Sequence, residues 1–261
     1  MEKTAWEKVK LARLASRPTA LDYIDNIFDE FIELHGDRYY RDDESIVCGI
    51  GRIGNSKYTI IAEQKGRNTK ENIKRNFGMP NPEAYRKSLR LMKQAEKFNR
   101  TIITFIDTKG AYPGIEAEQR GQGEAIAKNL IEMSRLKTPI ISFVIGEGSS
   151  GGALAIGVAD KVIMLENSIY SILSPEGFAS ILWKDSSRVK EAAEIMKLTA
   201  KDLYDMGKID KILKEYIENE KFSVEKISAD MKKEIESFNK EYKKIDKNEL
   251  LIKRYNKYRS M

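Results

Sequence analysis

The chain has 261 residues, 41% of them apolar, so it is long enough to bury a core without disulfide bonds. Its 46 basic and 40 acidic residues give a formal net charge of +6 as a mixture of both signs, which gives no support to a nucleic-acid-binding arm. The single cysteine, Cys48, excludes an internal disulfide and a metal site made of thiolates alone. The first residues are charged and no apolar run approaches 18 residues, so we expect a cytosolic protein without a signal peptide or membrane span.

The first third of the chain predicts a helix, two strands and a second helix. Apolar residues at helical spacing from Leu21 onward predict a helix that ends near His35. The stretches "SIVCGIGRIG" and "KYTIIAEQ" are typical of two strands joined by a turn. Residues 81–83, Asn-Pro-Glu, predict a helix start, because asparagine is a good cap and proline is favoured in the first turn.

One strand-turn-helix unit then occurs twice. The apolar run "TIITFID" is typical of a strand buried on both faces, and it precedes the turn "TKGAYPG" and a predicted helix from about Glu116 to Leu136. "PIISFVI" repeats the pattern with the turn "GEGSSG" and a helix from about Gly152. Because strands joined by a helical crossover lie parallel, we expect both glycine-rich turns at one edge of the sheet, where ligands of open parallel sheets bind.

The rest of the chain predicts shorter elements and a helical end. "KVIMLE" and "IYSIL" are typical of strands, "SPEGFASILW" of a turn into a helix, and the segments around Ala192 and Leu203 of helices. In the last forty residues, apolar side chains from Val224 to Ile245 recur every three or four positions. This spacing predicts a helix that packs on the core.

The glycine-rich turns point to chemistry done by main-chain amides. An N–H in the first turn of a helix has no partner inside that helix, and a glycine lets it approach a ligand closely. The amides of Gly151 and Gly152 are therefore candidates to hold an oxygen that becomes negative during a reaction. The other turn offers a second donor at Gly110-Ala111 or Gly114-Ile115. The alternative is that these glycines serve only to make the turns tight.

Side-chain catalysis has weaker candidates. Ser150 fits the G-x-S-x-G nucleophile elbow, but the chain's one histidine, His35, lies far upstream, so the hydroxyl lacks the base that this motif requires. No Gly-Lys-Ser/Thr follows the glycines, which excludes a P-loop. The acids near the turns are Asp107, Glu116 and Glu147, which are as suited to capping or ion pairs as to proton transfer.

A basic stretch precedes the second helix. In "KGRNTKENIKR", several cations, among them Lys65 and Arg67, face a single glutamate. This stretch is either a solvated loop or a patch that attracts the phosphate or carboxylate groups of a substrate or partner.

Long motifs give the chain a family resemblance. In order, it contains "ELHGDR", "QKGR", "KENIKRNFGMPNPEAYRKSLRLM", "TFIDTKGAYPGIEAEQRGQGEAIAKNL", "VIGEGSSGGALAIG" and "YSILSPEGFASILWK". With these motifs it resembles the alpha subunits of the bacterial acetyl-CoA carboxylase carboxyltransferase from about residue 17 to 213. Lys109 replaces a usual proline, Ser149 replaces a usual glycine, and a Pro-Leu-Gly-Gly-Ala-His stretch common near the family's C-terminus is absent after Leu213.

The resemblance implies an α/β crotonase (ClpP-like) spiral of repeated ββα units with flanking N- and C-terminal helices. We expect one domain overall, with an N-terminal helical segment at 1–40, a carboxyltransferase core at 41–215 and a C-terminal helical extension at 216–261. The implied partner is a beta subunit that bears a zinc finger, in an α2β2 assembly, while this chain binds no metal and no cofactor of its own.

The resemblance also implies the reaction. The carboxyl group of carboxybiotin, presented by a biotin carboxyl carrier protein as co-substrate, is transferred to acetyl-CoA to give malonyl-CoA for fatty acid synthesis, within a wider ATP-dependent complex that includes biotin carboxylase. Carried over by position, the amides of Gly151, Gly152, Gly114 and Ile115 would stabilise negative charge on the biotin ureido oxygen, and acetyl-CoA would be activated mainly by the beta subunit.

Further residues are expected to bind substrate, and some alternatives stay open. The expected substrate-binding residues are Gly110, Ala111, Tyr112, Ser150, Lys65 and Arg67. Related hydratases carry a glutamate where this chain has Leu154, which disfavours hydration. A different acyl-CoA substrate and a non-catalytic scaffold are the remaining alternatives.

Overall fold

The computed structural model describes residues 3–218 and 221–261. Within these ranges, eight strands form one mixed sheet in the order β1-β2-β3-β4-β5-β6-β8, with β7 beside the end of β5. The first three strands are antiparallel neighbours, and β3 to β8 run parallel. A two-stranded ribbon, β9–β10, follows. The strands are β1 Glu30–Glu33, β2 Ile46–Ile53, β3 Ser56–Glu63, β4 Thr101–Thr108, β5 Ile140–Ser149, β6 Lys161–Leu165, β7 Ile169–Ser171, β8 Lys211–Leu213, β9 Ile217–Glu218 and β10 Lys221–Phe222.

Helices cover both faces of the sheet. They are α1 Ala5–Ala12, α2 Ala20–Ile27, α3 Thr69–Lys74, α4 Pro82–Lys97, α5 Ile115–Gln119, α6 Gln122–Arg135, α7 Ser150–Leu154, α8 Pro175–Trp183, α9 Val189–Ile195, α10 Ala200–Asp205, α11 Val224–Tyr242 and α12 Lys247–Arg259, with 3-10 turns at Asn76–Gly78 and Ser186–Arg188. None of the helices in the described ranges combines the length and apolar character needed to cross a membrane.

Strand β5 shows how the core is layered. All ten of its residues are buried. Because successive side chains in a strand point to opposite faces, Ile140 and Val144 pack with α4 and α6, whereas Ile141 and Phe143 pack with α2 and α11. The sheet is therefore enclosed by two helical layers, which explains why the sequence of this strand is a continuous apolar run.

The expected helix from Leu21 to about His35 was wrong beyond Ile27. Helix α2 ends there, and the chain turns into strand β1, in which Phe31 pairs with Gly51. A pattern with apolar residues three and four apart fits a helix, but the main-chain groups of 30–33 find partners on β2 instead. The two strands after it and the helix start at Asn81-Pro82 are confirmed.

Two further boundaries differ from expectation. The predicted helix from Glu116 to Leu136 is two helices, because the backbone reverses at Gly121 with φ of +84°. The predicted turn "GEGSSG" is mostly strand, since β5 continues through Ser149 and the chain turns only at Ser150. The predicted strands at 161–166 and 169–173 and the helices near Ala192 and Leu203 are confirmed.

The C-terminal helix is also confirmed. In α11, Ile227, Met231, Ile235 and Phe238 are buried against the sheet. Helix α12 is held by Arg254, which is 1% exposed and donates to both carboxylate oxygens of Asp160. The segment boundaries at 40 and 215 stay predictions.

Candidate active site

The two glycine-rich turns meet at the carboxyl edge of the sheet, as expected from parallel neighbouring strands. Residues 109–114, the first glycine loop, follow β4, and residues 150–152, the second glycine turn, follow β5. They touch at Gly152, because a Cβ there would lie 2.5 Å from Ala111 N and 2.7 Å from the carbonyl carbon of Gly110. A side chain at position 152 would therefore force the two turns apart.

Hydrogen bonds fix the shape of the first glycine loop. Thr108 Oγ1 accepts from the Gly110 N–H at 3.0 Å, and the Tyr112 N–H donates to the Pro80 carbonyl at 3.0 Å. Gln122 Nε2 donates to the carbonyls of Pro80 and Tyr112, each at 2.9 Å. The amides of Gly110 and Tyr112 are thus used within the protein, and the loop is tied to α6.

Several amides at this edge have no acceptor within the protein. Across the described residues, the backbone N–H groups of Ala111, Gly114, Ile115, Gly151 and Gly152 donate to no protein acceptor. Gly114 is the N-cap of α5 and Ile115 its first residue, while Gly151 and Gly152 lie in the first turn of α7, where such N–H groups lack intrahelical partners. The catalytic roles expected for these four amides stay predictions.

Ser150 has the backbone of a sharp strand-to-helix turn but not the surroundings of a nucleophile. Its φ is +60°, an uncommon value for a residue with a side chain, and it is exposed. His35 lies far along the chain and its Nδ1 contacts Asp42 Oδ2 at 2.9 Å on the surface. Among the described residues, no hydrogen bond joins His35 to Ser150, which agrees with the argument from motif order.

Asp107 joins the strands that carry the two turns. It lies at the bulge where β4 and β5 shift register, and its Oδ1 accepts from the Glu147 N–H at 2.9 Å and from Lys65 Nζ. Gly146 leaves room for this carboxylate, since a Cβ there would lie 2.3 Å from Oδ1. The fully buried Glu63 accepts from the Asp107 N–H at 2.9 Å, and burial raises the pKa of the Glu63 carboxyl well above its usual range.

Glu147, the other acid beside the turns, is held by the N-terminal segment. Arg13 donates to its two carboxylate oxygens at 2.9 and 2.7 Å and also binds Glu176 at 2.7 Å. Asp107 and Glu147 are both buried, and Lys65 and Arg13 occupy their carboxyl oxygens. Neither is placed as a free base.

The remaining predicted side chains are spread over a wider area. Lys65 is committed to Asp107, and Arg67 lies at the surface in an ion pair with Asp22. Glu116 is 86% exposed and its closest cation is Arg120 at 4.0 Å. The ring of Tyr112 folds back toward Gly114. The substrate-binding roles of Lys65 and Arg67 stay predictions.

Sequence reasoning missed the contacts beneath the turns. Arg13 and Glu147 are 134 positions apart, and Lys65 and Asp107 are 42 apart, so no local pattern predicts either pair. A usable signal was Gly146 in the middle of an apolar strand, because such a glycine often marks the close approach of another group.

Sequence comparisons give a consistent family. The family model described as acetyl co-enzyme A carboxylase carboxyltransferase-like matches residues 1–261. The acetyl-coenzyme A carboxylase carboxyl transferase subunit alpha of Clostridium acetobutylicum is 60% identical over 260 residues, covering 100% of this chain and 95% of that protein. A Clostridium tetani protein named subunits beta/alpha is 63% identical over 256 residues, covering 98% of this chain and 44% of that protein.

Solved structures give the same fold at low sequence identity. Transcarboxylase 12S, solved as a hexamer with methylmalonyl-coenzyme A bound, has a TM-score of 0.72 at 19% identity, covering 90% of this chain and 44% of that one. A Pseudomonas malonate decarboxylase hetero-tetramer in complex with coenzyme A has a TM-score of 0.67 at 16% identity, covering 84% of this chain and 88% of that one. These likenesses confirm the expected α/β crotonase fold with flanking helices.

Proposed function

Because the chain belongs to the acetyl-CoA carboxylase carboxyltransferase family, we propose that it is the alpha subunit that moves the carboxyl group of carboxybiotin to acetyl-CoA. In this step the bond between the biotin nitrogen and the carboxyl carbon breaks, and the carboxyl carbon bonds to the methyl carbon of the acetyl group. A proton of that methyl carbon passes to the released biotin. The products are malonyl-CoA and biotin on its carrier protein.

The observation that carries the proposal is the set of unpaired amides on two adjacent turns. As the carboxyl group leaves, the ureido oxygen of biotin gains negative charge. The N–H groups of Gly151 and Gly152, with those of Gly114 and Ile115, are available to stabilise it at helix starts whose dipoles favour an anion. Loss of one such donor typically costs about 2.7–4 kcal/mol of transition-state stabilisation.

The ion pairs at the site support substrate-assisted proton transfer. The buried acids nearest the turns, Asp107 and Glu147, are engaged by Lys65 and Arg13. Their carboxyl oxygens are occupied by these cations, so neither is free to approach a proton of the substrate. The released biotin is then the base that takes the proton, and Ser150 forms no covalent intermediate.

We assign the partners from the family. Relatives that join beta and alpha in one chain support pairing with a beta subunit. We propose that this partner carries the zinc finger and most of the acyl-CoA site in a cytoplasmic α2β2 assembly, which works with a biotin carboxyl carrier protein and biotin carboxylase in fatty acid synthesis. The single cysteine of this chain, Cys48, is buried, so a four-thiolate zinc site falls to the partner.

Acetyl-CoA is favoured over other acyl-CoA substrates by the relatives of about 60% identity, whose names specify acetyl-CoA carboxylase. The test is the reverse reaction. The chain is assembled with a beta subunit and supplied with malonyl-CoA and free biotin, and acetyl-CoA formation is followed. Biotin-dependent turnover supports the proposal. If turnover occurs only with a longer acyl-CoA, then the assigned substrate is wrong. If an intact assembly turns over no acyl-CoA, then the scaffold alternative is favoured.

A further inference from the structure

A wide groove opens beside the first glycine loop. It encloses about 1110 Å³ between α4, α6 and the loop that contains Tyr39 and Tyr40. Its wall includes Glu116, which follows Ile115 on α5, and Arg120, the C-cap of that helix. The groove therefore begins one residue from Ile115.

More cations than carboxylates line the groove. Five cations and two carboxylates, Glu116 and Glu124, line it, and Arg86 and Arg120 are paired with carboxylates outside the lining, Asp37 and Glu83. Within the described ranges Lys128 forms no ion pair, and Arg90 donates only to the carbonyl oxygens of His35 and Gly36. Lys93 has a half-exposed partner in Glu132 at 3.2 Å, and such surface pairs bind weakly. In the part of the chain that the structure describes, Arg90 and Lys128 are thus the cations of the groove that have no carboxylate partner.

The two tyrosines are exposed yet held in place. Tyr39 and Tyr40 are 88% and 62% exposed. Arg86 stacks on the Tyr39 ring at 5.6 Å, and Arg120 stacks on the Tyr40 ring at 5.3 Å. Both arginines are anchored by the fully buried Glu83, at 3.1 and 2.7 Å. Rings ordered before binding lose little conformational freedom on contact, and tyrosine and arginine are the residues that dominate protein interfaces.

We infer that this groove is the docking surface for the protein that carries biotin, and that it recognises an acidic face next to the biotinyl group. The inference rests on the proposed function. A single phosphate would fill only a fraction of the volume, whereas a folded carrier can cover both the tyrosines and the cations. Its biotinyl group would then lie beside the amides of Ile115 and Gly114. Electrostatic attraction at such a rim mainly raises the association rate and is weakened by salt.

The test uses a charge-reversed groove in the assembled α/β enzyme. In Lys93→Glu/Lys128→Glu, both side chains are at the surface, so folding and the glycine turns should be unchanged. The matched control, Lys240→Glu/Lys243→Glu, makes the same charge change at exposed positions near the end of α11. We expect the groove variant to raise KM for biotinylated carrier in the malonyl-CoA-dependent reaction about tenfold at low salt, and the control to leave it unchanged.

Free biotin and direct binding separate the possible failures. With free biotin as acceptor, kcat and the KM for malonyl-CoA should match wild type, since free biotin has no acidic protein face. Binding of the carrier, measured without turnover, should weaken about tenfold in the groove variant alone.

An unchanged KM and Kd for the carrier would overturn the proposal that the groove is its docking surface. A raised KM for malonyl-CoA would assign the groove to the CoA phosphates instead, and loss of assembly would assign it to the beta subunit. A further outcome concerns the proposed function. If the wild-type protein binds the carrier through the groove but turns over neither acceptor, then the proposed function is refuted and the docking surface still stands.

Discussion

Removing the Ile115 N–H tests the proposed amide chemistry with little change to the fold. Ile115 is the first residue of α5, a position where proline is favoured because its N–H has no helical partner. The preceding Gly114 has φ −78° and ψ 147°, which is the conformation preferred before proline. Ile115→Pro should therefore fold normally, and its melting temperature should equal or slightly exceed that of wild type.

The expected loss of activity follows from the missing donor. An oxyanion donor contributes about 2.7–4 kcal/mol, so kcat for malonyl-CoA-dependent carboxylation of biotin should fall about a hundred- to a thousandfold. Ile115→Ala is the matched control, because it keeps the N–H and removes a side chain that is 78% exposed. It should stay within about threefold of wild type.

Two outcomes would contradict this reasoning. If Ile115→Pro keeps the kcat of Ile115→Ala, then the amide takes no part in stabilising the transition state. If both variants lose activity equally, then the exposed isoleucine side chain matters and the amide does not.

Three other predictions concern stability. Gly152→Ala should lower the melting temperature and the activity, because its Cβ would lie 2.5 Å from Ala111 N, whereas Gly151→Ala should fold normally because the nearest atom to its Cβ is 3.6 Å away. Arg254→Ala should lower the free energy of unfolding in urea by about 3–5 kcal/mol, since it leaves the Asp160 carboxylate buried without its cation, and a loss below about 1 kcal/mol would contradict this. The stability of Glu63→Gln relative to wild type should increase as the pH rises above about 4.3. The difference in free energy of unfolding should grow by up to about 1.4 kcal/mol per pH unit, and urea unfolding at pH 5 and pH 8 measures it.

The sign of the Glu63 effect follows from burial. Burial holds the pKa of the folded carboxyl above that of the unfolded chain, so the native state binds the proton more tightly. The stabilisation is complete below the unfolded pKa and is lost as the pH rises through the folded pKa. Glutamine cannot ionise and lacks this slope. An equal difference between the two proteins at pH 5 and pH 8 would mean that Glu63 is charged in the fold.

Much of the sheet could be predicted because its central strands are apolar on both faces. The apolar runs at 101–107 and 140–145 lie in β4 and β5 as expected, and the parallel pairing of these strands brings the two glycine turns together. Strand β1 could not be predicted in this way. Residues 30–33 have apolar spacing that suits the end of a helix. They form a strand because they pair with β2, and this pairing partner cannot be identified from the residues next to them in the sequence.

Glycine density had two different causes at the site. At Gly152 the glycine is needed at a turn, where the backbone of the first glycine loop leaves no room for a Cβ. At Gly146 and Gly148 the backbone is ordinary strand, and the missing side chains accommodate Asp107 and Tyr170. From the sequence alone, all of these glycines are interpreted as parts of one turn. The turn is therefore predicted to begin at Gly146, four residues before the chain turns at Ser150.

The same distinction explains why unpaired main-chain donors were easier to locate from the sequence than the partners of side chains. An amide at a helix start is available because of local geometry, which a glycine-rich strand-to-helix junction already implies. The role of a cation such as Lys65 depends on which carboxylate folding brings beside it, and Asp107 comes from a strand 42 positions away. An ammonium group has three N–H donors, and only one of those of Lys65 is directed to Asp107. Lys65 therefore connects the two strands through Asp107 while keeping donors for a substrate, so its expected substrate contact stays a prediction.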